Sequence, residues 1–201
     1  VTADSLATFV LPALAEAEGF LFDLVIDDQD FSADLLRRGE VAAAVTTADA
    51  RVPGCDAIAL LDLDYVAFAA PDFARHWFAD GVTASALARA PAITFNRKDR
   101  LQRRMAERMT DQKIALPTHF IGSTQDITAA AVAGLGWAVN PVSIPRPHLI
   151  AGDLVDLCPG SILQTPLVWQ VLRRNAPALR PLTRSLKRAA RNLSEKQATA
   201  R

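Results

Sequence analysis

Ala92-Ile93-Thr94-Phe95-Asn96-Arg97-Lys98-Asp99 and, further along, Thr118-His119-Phe120-Ile121-Gly122-Ser123-Thr124 decide how this chain folds. Each joins an apolar run suited to a strand to a polar loop. A helical pattern follows each: a charged one from about Leu101 to Met109, then Ile127 to Ala133, stopped by Gly134. Strand, loop and helix repeated in that order predict an α/β fold with a mostly parallel sheet. In such sheets the loops after the strand C-termini line a ligand crevice.

Towards the N-terminus, Asp4 or Ser5 can cap a helix carrying Leu6, Phe9, Val10, Ala13, Leu14 and Ala17 on its apolar face, with Gly19 as its stop. A strand over Leu21 to Asp27 is expected next, then Asp28-Gln29-Asp30. A short helix from Ser32 to Gly39 and a strand over Val41 to Thr46 complete this stretch. Beyond Pro53-Gly54, Ile58 to Leu63 and Tyr65 to Ala70 read as two strands. Pro71-Asp72 opens a helix through Trp77 and Phe78, and Thr83 can cap another.

Towards the C-terminus, Trp137 to Asn140 is a strand, and Pro141, Pro145 and Pro147 break the pattern. Strands over Leu154 to Leu157 and Leu167 to Leu172 precede a helix begun at Pro177, with Leu179, Leu182, Leu186 and Leu193 on one stripe. Residues after Ser194 are polar and expected to fray. The order predicts two Rossmann-like lobes joined by two crossover strands near 66–68 and 140–142. Lobe I is residues 1–67 with 142–201, and lobe II is 68–141. Loops 4–8, 28–30, 46–47, 96–99 and 122–126 are expected at the cleft, and all are polar.

Half of the 201 residues are hydrophobic, enough for a sizeable core. Lys plus Arg and Asp plus Glu both number 22, so no net charge attracts phosphate backbones or anionic membranes. No apolar run reaches the ~18 residues of a membrane span, and no signal-peptide pattern is seen, so a cytoplasmic location is expected. The chain starts at Val1 without Met and reads as a piece of a longer protein. Cys55 and Cys158 stand far apart and read as reduced structural thiols.

Short segments carry a more specific signal. They are Ala3-Asp4-Ser5-Leu6-Ala7-Thr8, Asp27-Asp28-Gln29-Asp30, Leu35-Leu36-Arg37-Arg38-Gly39, Phe95-Asn96-Arg97-Lys98-Asp99, Gly134-Leu135-Gly136-Trp137 and Pro166-Leu167 with Trp169-Gln170. With these, nearly the whole chain resembles the effector-binding domain of LysR-type transcription regulators. The Asp-Gln-Asp, Asn-Arg-Lys-Asp and Pro-Leu-x-Trp-Gln segments point to the branch called ArgP or LysG. Trp137-Ala138-Val139-Asn140-Pro141-Val142 departs from the Gly-Trp-Gly-x-x-Pro-Glu of relatives. The resemblance implies a fold of the type II periplasmic-binding-protein kind. It also implies a small effector, a basic amino acid, and assembly as a homodimer or tetramer. DNA contact would come only through an N-terminal winged helix-turn-helix absent from this chain, with no cofactor and no membrane.

A basic amino acid needs a complement for its carboxylate and for two cations. Helix N-termini suit the carboxylate, which makes Ser5, Thr8, Ser123 and Thr124 candidates, though ordinary capping explains them equally. Arg97, beside Asn96, can grip a carboxylate with two prongs, or it pairs locally with Asp99. Asp28, Asp126 and Asp4 can take the cations, although acids in a first helical turn are also favoured by the dipole. Thr46 and Thr47 can donate hydroxyls or merely end a strand. His76, His119 and His148 lack metal-ligand spacing, and no HExxH, GxSxG or P-loop occurs, so no enzyme is expected. The basic run from Arg173 to Arg191 reads as the solvated face of the last helix. The rival readings are a solute-binding protein of a transport system and a domain that only oligomerises.

Overall fold

A computed structural model describes residues 1–26 and 32–199. In chain order it contains α1 (Ala3–Ser5), a π-helical stretch (Leu6–Val10), α2 (Leu11–Ala15), α3 (Ser32–Arg37), β1 (Ala43–Thr47), β2 (Cys55–Ala69), α4 (Pro71–Trp77) and α5 (Ala84–Leu87). Then come β3 (Ala92–Thr94), α6 (Leu101–Thr110), β4 (Thr118–Phe120), α7 (Thr124–Val132) and β5 (Trp137–Pro141). The chain ends with α8 (Arg146–Ala151), β6 (Val155–Asp156), β7 (Leu163–Leu172) and α9 (Arg180–Ala198). It is a mixed α/β fold of two compact units: Val1–Leu63 with Gln164–Arg201, and Asp64–Leu163.

In the first unit β1 pairs antiparallel with β7, from Ala43↔Val171 to Thr47↔Leu167. Ala33, Leu36, Ala44, Val52 and Cys55 form a buried cluster against it, and burial pushes the Cys55 thiol pKa up. The opening helix differs from its expected form. Its cap is Thr2, whose Oγ1 accepts the Ser5 N–H at 3.1 Å, rather than Asp4 or Ser5. The next turn widens, with the Leu11 N–H reaching Leu6 O. Pro12 supplies the reason, since a proline lacks an N–H and its ring crowds the carbonyl four residues back.

Leu21 to Ile26 pair as no strand, and Leu21, Leu24, Val25 and Ile26 are exposed. The rest of that expected strand lies outside the described residues. Helix α9 buries Leu182, Leu186, Ala190 and Leu193, spaced by three or four residues as a one-sided helix requires. It does not fray after Ser194. Gln197 is buried and its Nε2 donates to Asp62 O at 2.9 Å, which holds the last turn.

In the second unit β3 and β4 run parallel, β3 and β5 run parallel, and β5 pairs antiparallel with the end of β2, from Tyr65↔Pro141 to Phe68↔Ala138. The two strands expected across residues 58–70 are one, because Asp64 does not interrupt it but lies buried within β2 at 1% exposure. Val66, Phe68, Ile93, Ile127, Ala131, Ala138 and Leu154 make the core. Gly136 is required by packing: a Cβ there would lie 2.7 Å from Pro91 O and 2.9 Å from Ile93 Cγ1. The chain changes units within β2 and within β7, the latter at Leu163, whereas the sequence places the second crossing near 140–142. Pro141 does not end this unit: Val142 N–H bonds Asp64 O at 2.9 Å, and Pro145 and Pro147 start α8.

Candidate functional site

In the second unit the C-terminal ends of β5, β3 and β4 share one edge, since the three strands run the same way. This edge gathers Asn96, Arg97, Ser123, Thr124 and Asp126. Asn96 closes a tight turn, its Oδ1 accepting the N–H groups of Lys98 at 2.7 Å and Asp99 at 3.1 Å. The Asp99 carboxylate in turn accepts from the N–H of Leu101, the first residue of α6, at 2.8 Å and from the N–H of Phe95, just after β3, at 3.3 Å. Among the described residues Arg97 makes no ion pair, so the local pairing with Asp99 does not occur. Its guanidinium instead lies 4.8 Å from the centroid of the Phe120 ring, at the end of β4.

The start of α7 lies on the same edge. Ser123 caps it, Oγ accepting the Asp126 N–H at 3.3 Å, and Asp126 is exposed in the first turn. Thr124 is buried at 2% exposure and its carbonyl accepts from Asn140 Nδ2 at 2.7 Å. The same Nδ2 donates to Thr128 Oγ1 at 2.9 Å. Asn140, 2% exposed on β5, therefore fixes where α7 begins. In the sequence Asn140 stands out only as the end of an expected strand and within the departure from relatives. The available signal was a lone amide in an apolar strand.

The first unit holds Ser5, Thr8, Thr46 and Asp28, and the last lies outside the described residues along with Asp27, Gln29 and Asp30. Ser5 is buried, its hydroxyl donating to Thr2 O at 3.0 Å and accepting from Thr2 Oγ1 at 2.8 Å. Thr8 Oγ1 donates to Asp4 O at 2.7 Å. Thr46 is buried, donates to Thr47 O at 3.1 Å and accepts from Gln170 Nε2 at 2.7 Å. Gln170, 1% exposed on β7, also donates to Ala50 O at 2.8 Å and accepts the Val52 N–H at 2.8 Å. A hydroxyl already donating to the protein can offer a ligand only a lone pair. These three hydroxyls therefore suit a cation or an N–H better than a carboxylate.

Trp137 and Trp169 are core residues, 0% and 4% exposed, and Trp169 Nε1 donates to Thr183 Oγ1 at 3.0 Å. Cys55 and Cys158 are free thiols. Among the described residues no group of His, Cys, Asp or Glu could hold a metal, and no helix is long and apolar enough to cross a membrane.

Residues 2–191 match the family model of the LysR substrate binding domain. The chain is 38% identical over 193 residues to the HTH-type transcriptional regulator LysG of Mycobacterium tuberculosis, covering 96% of this chain and 63% of that protein. The C-terminal domains of a LysR family protein from Agrobacterium tumefaciens superpose with a TM-score of 0.89 at 45% identity, covering 94% of this chain and 93% of that one. Full-length LysG of Corynebacterium glutamicum with bound effector Arg gives a TM-score of 0.83 at 30% identity, covering 94% of this chain and 66% of that one. The named regulators are not enzymes, and the transport alternative gains no support from them.

Proposed function

The chain belongs to the LysR substrate binding domain family, and from that premise we propose that it senses lysine or arginine for a transcription regulator of amino-acid export or metabolism. The observation that carries this is the second unit's strand-end edge. There an arginine free of ion pairs among the described residues, Arg97, stands on the same edge as the capped start of α7. Both are complements for a carboxylate. The bound effector Arg of Corynebacterium glutamicum LysG supports a basic amino acid. On this edge Asp126 serves its cations, and Asn96, Ser123 and Thr124 complete the contacts.

The effector acts by binding one state of the protein more tightly than another, which is the only way a ligand shifts such a balance. DNA is bound through a separate N-terminal winged helix-turn-helix of the whole regulator, which works in the cytoplasm. The chain spans 63% of the length of the mycobacterial LysG. Homodimers or tetramers form through the first helix and a helix of the other lobe.

Isothermal titration calorimetry of the chain with lysine, arginine, histidine and leucine tests the reading. Micromolar to sub-millimolar binding of a basic amino acid, weakened in Asp126→Asn and absent with leucine, is the expected result. No heat with any basic amino acid rejects the effector assignment.

A further inference from the structure

Arg37-Arg38 and Arg173-Arg174 are far apart in the sequence, and the fold brings them to one cavity within the first unit. Arg173 and Arg174 do not belong to the solvated face of the last helix. They lie in the turn between β7 and α9, where the Arg173 N–H bonds Gly54 O at 3.2 Å. The cavity measures about 450 Å³ and is lined by the four arginines together with Leu36 and Leu172.

Like charges converge only where anions offset them. Arg37 pairs with Asp34, Arg38 Nε lies 2.5 Å from Glu40 Oε1, and Arg173 Nε lies 3.3 Å from Asp56 Oδ1. The Arg38 bond holds the Glu40 carboxyl below its usual pKa. Arg174 makes no ion pair among the described residues. Among the described residues, Asp34, Glu40 and Asp56 are the carboxylates paired with these arginines, and Arg174 pairs with none. The three pairs are solvent-exposed and therefore weak, so an anion of higher charge can displace them. The end of α3 presents carbonyls rather than N–H groups, so the arginines alone supply the attraction.

We propose that this cavity binds a small phosphate-bearing polyanion, clamped by the Arg37-Arg38 and Arg173-Arg174 pairs. Its volume is within the range of small-molecule clefts, and the net charge of zero gives no long-range pull on a duplex. One carboxylate occupies one guanidinium fork. A diphosphate points oxygens in several directions and engages forks from both segments at once. The site uses none of the residues assigned to the amino-acid effector, so the two stand or fall separately.

The test is calorimetry of the 201-residue chain with inorganic pyrophosphate at low and physiological salt, with citrate as a polycarboxylate comparator. Arg174→Gln and Arg38→Gln are titrated beside it, and thermal melting confirms that both variants fold. Pyrophosphate is expected to bind at micromolar to millimolar concentration, more weakly at higher salt and more tightly than citrate, with affinity falling about tenfold in each variant. No binding at low salt, binding unchanged in both variants, or citrate binding as tightly as pyrophosphate overturns the proposal.

Discussion

Each unit has a buried amide on a strand, Gln170 in β7 and Asn140 in β5, that ties the strand to a neighbouring element, and the two act in opposite senses. Gln170 in the first unit bonds Thr46 Oγ1, Ala50 O and Val52 N–H, and so engages a hydroxyl that the sequence offers to a ligand. Asn140 in the second unit bonds Thr124 O and Thr128 Oγ1. It holds the helix from behind and leaves the capped start of α7 on the strand-end edge. Identical chemistry closes one edge and organises the other. A polar loop is therefore no guide to ligand contact until the partners of its side chains are known.

The contrast can be broken at its strongest point by Gln170→Leu, which removes a hydrogen bond from Thr46 Oγ1, Ala50 O and Val52 N–H. At about 1 kcal/mol for each lost hydrogen bond, the first unit is expected to lose about 3 kcal/mol, read as a lower urea midpoint. Unchanged stability would mean that Thr46 is not held by this amide. Asn140→Leu frees two acceptors rather than three groups, and a loss of about 2 kcal/mol is expected. It should also lower affinity for the basic amino acid, because the start of α7 is no longer fixed. Stability lost with affinity intact would detach α7 from the effector site. Arg97→Ala is the opposite limit. Its side chain is exposed and its stacking on Phe120 contributes under ~1 kcal/mol, so urea unfolding should shift by no more than that while affinity for arginine falls about tenfold. Equal affinity in that variant would remove Arg97 from the site.

Much of the fold is legible in the sequence because it rests on local chemistry. Thr83 and Ser123 cap the helices expected of them, and the leucines of α9 form the stripe their spacing requires. What escapes is whatever a distant partner decides. Asp64 looks like a strand break, yet it is buried in the middle of β2. The last turn of α9 looks polar and loose, yet Gln197 is tied to Asp62, 135 residues away in sequence. The candidate site divides the same way. Loop positions follow from the order of elements, and the grouping of Asn96, Arg97, Ser123 and Thr124 on one edge was foreseeable. That Phe120 would hold Arg97, and that Gln170 would engage Thr46, depends on pairings no local pattern encodes.

Gly134-Leu135-Gly136 looks like one motif but contains two unrelated restrictions on evolutionary drift. Gly134 has a φ of +80° with nothing within 4 Å of an added Cβ, so its constraint is conformational, and asparagine, which tolerates that backbone, remains an accessible substitute. Gly136 has no positive φ, but Pro91 O and Ile93 occupy the space a side chain would need. Every alternative residue meets the same wall there, alanine included, and escape requires a compensating change in the 91–93 backbone. Lineages can thus exchange the first glycine by a single step, while the second moves only together with the strand it touches.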